Sequence, residues 1–320
     1  MWIGIFYALA AGLMWGLVFV GPLWLPDYPA ALQSVGRYVA FGLIALPLAW
    51  FDRARLRQLA RADWIEALKL VAIGNLLYYL CLASAIQRAG GPVPTVIIGT
   101  LPVVIAICAN RRERARRLTW RKLAPSLLLI AAGLACVNLD ELAALRATAN
   151  PDYLRYATGA ALALVGVACW TWYPLRNADW LRSHPTHSPR TWATAQGLAT
   201  LPLALAGYAV LWIGFTVTGQ SFPLPFGPWP QVFLALMAAI GLLASWVGTL
   251  CWNAASQRLP TALVGQLIVF ETLAALAYTF ILRGAVPPWP TLAGIALLII
   301  GVICAVRVQP EAAAAEAHAT

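Results

Sequence analysis

The chain has 320 residues, 61% of them hydrophobic and only 11% charged. Apolar runs of about twenty residues recur from one end to the other, which excludes a soluble enzyme and a disordered chain. The formal net charge of +10 sits mostly in short segments between those runs. It therefore reads as a membrane-topology signal and argues against a nucleic-acid partner.

About twenty helical residues at about 1.5 Å each cross a hydrocarbon core of about 30 Å. On that scale the chain is all-α and polytopic, with ten transmembrane helices over residues 2–21, 30–50, 66–88, 91–110, 122–139, 155–177, 191–216, 231–257, 260–282 and 290–307. The first segment lacks a basic leader and runs too long for a cleaved signal peptide. Only Ala89-Gly90-Gly91-Pro92 separates the third helix from the fourth, and only Leu259-Pro260 the eighth from the ninth. The polar stretches are short, at 51–65, 111–122 and 178–190. Residues 309–320, rich in Ala with Glu311 and Glu316, are expected to form a disordered tail.

Counting alternate loops from a cytoplasmic N-terminus puts sixteen Lys and Arg on the cytoplasmic side, including Arg53, Arg55, Arg57, Arg61, Arg111, Arg112, Arg114, Arg116, Arg117, Arg121 and Lys122. Four lie opposite: Arg88, Arg146, Arg155 and Arg283. This bias predicts both termini in the cytoplasm. Arg outnumbers Lys twenty to two, which with the abundance of Ala points to a GC-rich bacterial genome. Trp24, Trp50, Trp64, Trp120, Trp229 and Trp289 fall near helix ends, where they would anchor at the interface, whereas Trp15, Trp170, Trp172, Trp246 and Trp252 lie deeper. All six Cys fall within hydrophobic spans, without metal-ligand spacing or a disulfide framework.

The sequence is internally doubled. Cys81-Leu82-Ala83-Ser84-Ala85-Ile86-Gln87-Arg88 reappears as Cys251-Trp252-Asn253-Ala254-Ala255-Ser256-Gln257-Arg258. Trp120 and Trp289 mark matching turns, and Gly133-Leu134-Ala135-Cys136 matches Gly301-Val302-Ile303-Cys304. Toward the front, Trp15 pairs with Trp170 and Leu46-Pro47 with Leu201-Pro202, both 155 positions apart. The back halves match at 168 to 170, and an insertion that includes the Pro-rich loop 221–228 accounts for the change. Two units of five helices, residues 1–140 and 150–308, must enter the bilayer from opposite sides. That gives a 5+5 inverted-topology repeat, which suits alternating access around a midplane site.

Few ionisable residues lie inside the spans, where each costs ~2.5–3.5 kcal/mol on insertion scales. Glu271 sits near the centre of the ninth helix and Arg37 within the second. Glu271 could carry a proton or bind a cationic group, stay neutral in a structural hydrogen bond, or pair with Arg37. Arg37 could serve helix packing or touch substrate, and its partner by register is Trp192. Asn75, Tyr78 and Tyr79 cluster within about a turn of the third helix. On the eighth, Ser245, Thr249, Trp252 and Ser256 share one face, with Trp246 and Asn253 on an adjoining face. These groups would either line a cavity for a small, partly polar metabolite or act as glue between helices. Pro92, Pro94, Gly99, Pro102, Pro174 and Gly265 favour bent helices. No metal pair, nucleophile elbow or phosphate-binding loop is present, and no cofactor is expected.

Ten helices in a five-plus-five repeat, Trp15-Gly16, Arg37, and the segments from Gln87-Arg88 and Gln257-Arg258 toward Leu101-Pro102 resemble the EamA-type branch of the drug/metabolite transporter (DMT) superfamily, over about residues 2–307. The resemblance implies a transporter, not an enzyme, with a cavity between helices one, three, four, six, eight and nine. Many such relatives carry Pro where this chain has Glu271, and an acidic residue where it has Asn110-Arg111-Arg112. The expected function is secondary active export of amino acids or related compounds. The alternatives are an uptake permease for purines or organic cations, and a membrane-embedded lipid-handling protein. Glu271, Arg37, Asn75, Tyr78, Tyr79, Trp15, Trp170, Trp246, Thr249 and Gln266 are the candidate site residues. The expected partners are a small-molecule substrate, protons and the lipid bilayer, and the chain would be a monomer or homodimer.

Overall fold

In a computed structural model of the chain, residues 1–89, 92–112, 119–139, 153–219, 221–284 and 286–307 are described; the Gly90-Gly91 break, Arg114, Arg116, Arg117, Arg146 and the tail 309–320 lie outside them. Regular structure among the described residues is entirely helical. Helix α1 (Trp2–Gly16) continues through a tight turn at Leu17–Phe19 into α2 (Val20–Trp24). After α3 (Ala30–Phe51) and the short α4 (Arg53–Leu56), α5 (Arg61–Val71) runs through a π-helical turn at Ala72–Leu77 into α6 (Tyr78–Ala89). Then come α7 (Pro92–Gly99), α8 (Leu101–Arg112) and α9 (Trp120–Val137). The second part holds α10 (Tyr153–Ser183) and α11 (Pro189–Thr218). There α12 (Pro230–Ile240) passes through a π-helical turn at Gly241–Val247 into α13 (Gly248–Arg258). Last are α14 (Thr261–Leu267), α15 (Val269–Arg283) and α16 (Trp289–Val306). Among the described residues, eight helical stretches are long and apolar enough to cross a membrane by length and composition; α1 is apolar but shorter.

The departures from the expected spans have local causes. The third stretch starts at Arg61, not near 66, because Asp63 turns back to accept from the backbone N–H of Ala60 (2.8 Å) and places an acidic group in the first turn. The fourth breaks at Thr100. Pro102 has no N–H for the ladder there, and Thr100 Oγ1 donates to the Ile97 carbonyl at 2.6 Å. The ninth breaks at Ile268 with no proline to announce it. The π turns also interrupt helices expected to be regular, and they stand 169 positions apart.

Helix α3 packs along α11, α9 along α16, and α8 against α14; α1 lies against α13 and α15, while α10 lies against α6, α7 and α8. Gly133 and Gly294 let α9 and α16 approach until a Cβ on Gly133 would be 2.9 Å from the Gly294 carbonyl oxygen.

Side-chain bonds gather at two ends of the bundle. At one end Arg176 Nε and Nη2 hold Glu66 at 2.5 and 3.2 Å, and Arg112 pairs with Asp179 at 2.5 Å. There too, Trp180 Nε1 donates to Asp63 (2.8 Å), the Thr191 hydroxyl to Asp52 (2.5 Å), and Arg182 to Thr261. Below these contacts lies a buried hub at Asn177. Its Oδ1 accepts from Trp192 Nε1 (2.8 Å) and Gln196 Nε2 (3.1 Å), and its Nδ2 donates to Asn253 Oδ1 (2.9 Å). Trp180 and Trp192 stack above it with centroids 3.4 Å apart. Every residue of α14, and each from Thr191 to Gly197 on α11, is buried, so this end is sealed. At the opposite end Tyr28 binds the 221–229 loop: its hydroxyl donates to the Phe226 carbonyl (2.9 Å) and accepts from the Trp229 N–H (2.7 Å).

Truncating the hub by Asn177→Ala leaves the Trp192, Gln196 and Asn253 groups buried without a partner. A loss of about 1–3 kcal/mol is expected, read as a lower denaturation midpoint in detergent.

Candidate functional site

The deep aromatic residues form one cluster. Trp15 on α1 stands edge-on to Trp170 on α10, with centroids 5.4 Å apart at 82°, and tilts against Trp252 on α13 at 5.1 Å. Trp170 in turn meets Tyr78 on α6 and Tyr173 on its own helix, both at 5.9 Å. Two glycines make room for these rings. A Cβ at Gly248, directly after the second π turn, would lie 2.7 Å from Trp15 Nε1. A Cβ at Gly74, inside the first π turn, would lie 2.4 Å from the Tyr173 ring. Each ring thus sits on a glycine of the helix that carries a π turn, where no larger side chain fits without displacing it.

Beside the cluster are the charges. Gly12 brings α1 against α15, so that a Cβ there would be 3.0 Å from the Glu271 backbone nitrogen. The Glu271 side chain is half-buried, and among the described residues nothing hydrogen-bonds or ion-pairs with its carboxylate. Arg37 is half-buried as well. Its Nε donates to Ser245 Oγ at 2.9 Å, and its guanidinium lies 5.0 Å from the centre of the Tyr38 ring. Arg37 and Glu271 lie within electrostatic reach of each other and of Tyr78, yet the direct pair offered by one reading of the sequence is not formed. Asn75 and Tyr79 are half-buried on the same stretch as Tyr78. Trp246 donates through Nε1 to Thr194 Oγ1 at 3.1 Å, and Thr249 is buried one turn beyond Ser245.

The geometry therefore gathers Arg37, Tyr78 and Glu271 with the aromatic cluster of Trp15 and Trp170. It does not bring in Gln266, whose side chain is wholly buried and accepts from the Ser126 hydroxyl of α9 at 2.5 Å. That amide ties helices together. The polar end, with Asp63, Glu66, Arg176, Asn177 and Gln196, was not anticipated. One signal for it was available: Tyr173, Arg176, Asn177 and Trp180 recur at the three- and four-residue spacing of one helix face.

The helical architecture, with eight stretches among the described residues long and apolar enough to cross a membrane, is that of a multi-pass membrane protein, and residues 2–139 match the EamA-like transporter family. The chain belongs to that family, within the DMT superfamily, and the family is not an enzymatic one. It is similar to the inner membrane protein YtfF of Escherichia coli (strain K12), with 61% identity over 310 residues, covering 96% of each chain. A crystal structure at 17% identity superposes with a TM-score of 0.71, covering 94% of this chain and 96% of the other, a likeness of fold.

A side chain added at Gly248 must displace the Trp15 indole. Gly248→Val is expected to lose about 1–3 kcal/mol of stability, whereas Gly214→Ala, where nothing lies within 4 Å, should leave the denaturation midpoint unchanged or raise it.

Proposed function

We propose that the chain is a secondary transporter of the bacterial inner membrane that exports amino acids or related compounds by alternating access. Ten spans in two inverted halves, residues 1–140 and 150–308, would carry the motion. The observation that carries the reading is the group of half-buried charges, Arg37 and Glu271, left without each other beside Tyr78 and Trp170. Unpaired charges at this depth are costly in hydrocarbon and belong to a hydrated pathway.

The packing supports the doubled arrangement. Exchanging first-half helices with their second-half mates turns the α1–α13 contact into the α10–α6 contact. The same exchange maps the α3–α11 and α9–α16 contacts onto themselves. The π turns fall at the register of the sequence repeat, and the family match ends at residue 139. The Arg-rich segments 53–61, 111–112 and 176–190 meet at one end, which we assign to the cytoplasm together with both termini. That end is sealed, so the midplane would be reached from the opposite side in this state.

In this scheme Glu271 carries a proton or holds the substrate's ammonium group, and the aromatic cluster contacts its apolar part. The carboxylate beside Trp and Tyr rings also favours one second reading, transport of an organic cation. A thermal-shift screen of the purified protein against amino acids, nucleobases and organic cations separates the two, since the ligand bound selectively raises the melting temperature. In proteoliposomes, Glu271→Gln is expected to abolish proton-coupled exchange with the melting temperature preserved. Undiminished coupling in that variant would remove Glu271 from this role.

A further inference from the structure

Arg37 is held in an unusual way. It lies seven residues into α3, about 10 Å along the helix from its start, a depth at which charge is expensive. Among the described residues only Nε of its guanidinium is engaged in a hydrogen bond, and the acceptor is Ser245, which is buried in the π turn between α12 and α13. The edge formed by the two terminal amino groups has no hydrogen-bond acceptor among the described residues. The nearest counter-charge, on Glu271, is in electrostatic reach but unbonded. At the equivalent place in the second half stands Trp192, wholly buried and bonded to Asn177. The guanidinium is therefore not part of the duplicated framework.

We infer that the free edge of Arg37 docks a carboxylate of the transported solute, and that Ser245 is a positioning residue that aims it. The inference rests on the transporter reading above and narrows its substrate class to zwitterionic solutes that carry a single carboxylate. A flat pair of N–H donors on one edge of a guanidinium matches a carboxylate with two parallel hydrogen bonds. One guanidinium with a carboxylate close by balances a single negative charge, and repels a doubly charged phosphate. An ammonium group on the same solute would complement Glu271, so that one molecule answers both unpaired charges. The serine bond fixes the fork by its inner nitrogen and leaves the outer edge forward. The π turn supplies that bond by adding a residue to the turn on which Ser245 lies.

The test compares acids with their neutral carboxamides: leucine with leucinamide and phenylalanine with phenylalaninamide, titrated onto the purified protein in nanodiscs. Charge-assisted pairing predicts that the wild-type protein binds the acid about 10- to 100-fold more tightly than the amide. Arg37→Gln should bring the two affinities together. Arg37→Lys should keep the preference for the acid while weakening it, and Ser245→Ala should reduce it without abolishing it. An equal affinity of the wild-type protein for acid and amide, or an unchanged ratio in Arg37→Gln, would overturn the assignment and leave the transporter reading standing. Binding of neither acid, with organic cations or nucleobases bound instead, would overturn both. Should Arg37→Gln fail to fold, the wild-type ratio and its change in Ser245→Ala decide the matter.

Discussion

A polar group in hydrocarbon must find a partner inside the protein, and that constraint organises this molecule at each level. It makes the regular structure helical, since a helix satisfies its own backbone. It draws Asn177, Gln196, Asn253 and Trp192 into a closed set in which each buried amide or indole shown has a mate. It ties Gln266 to Ser126 across two helices. Among the described residues Arg37 keeps one bond and Glu271 has none, and a few buried polar atoms elsewhere, Gln33 Oε1, Thr171 Oγ1 and Trp252 Nε1 among them, also lack a partner. Two violations of opposite sign beside one aromatic cluster are what separates a site from a packed core.

The two parts of the chain share a framework and differ in what they place on it. The π turns and most of the helix pairings recur. The polar hub does not. Counting back 155 positions from Asn177, Trp180 and Gln196 reaches Pro22, Leu25 and Phe41. The features the two parts share are those of the scaffold, while the charge at Arg37 and the hydrogen-bonded hub each stand in one part alone.

Much of this was legible before any coordinates. Helix positions followed from apolar run length, because a fixed hydrocarbon thickness sets a fixed residue count. Trp15 and Trp170 were marked by depth, and they meet. Arg37 and Glu271 were marked by charge, and they share a region. What stayed hidden has common causes. The start at Arg61 depends on a capping carboxylate that hydropathy treats only as polar. The π turns and the break at Ile268 leave no compositional trace, since hydrogen-bond register, not residue type, defines them. Gln266 was misjudged because a buried amide looks the same in sequence whether it faces a cavity or a neighbouring serine. The hub was missed because its members come from segments assigned to helix ends and loops. Only the folded arrangement shows that Asp63, Asn177 and Asn253 gather at one end of the bundle.

The seal built from Asn177 and its neighbours has a thermodynamic consequence. One end of the bundle is held by directional bonds and stacked indoles, whereas at the other Tyr28 bonds a loop and packs its ring against Phe222 and Phe233. In the alternating-access cycle proposed above, two conformers that exchange these closures would differ in free energy. Parting the hydrogen-bonded mouth is chiefly an enthalpic step, steeply dependent on temperature, whereas parting a greasier one is governed by water entropy. Under that proposal the two halves would form a tilted balance, with the resting population leaning to the shape in which the polar mouth stays shut.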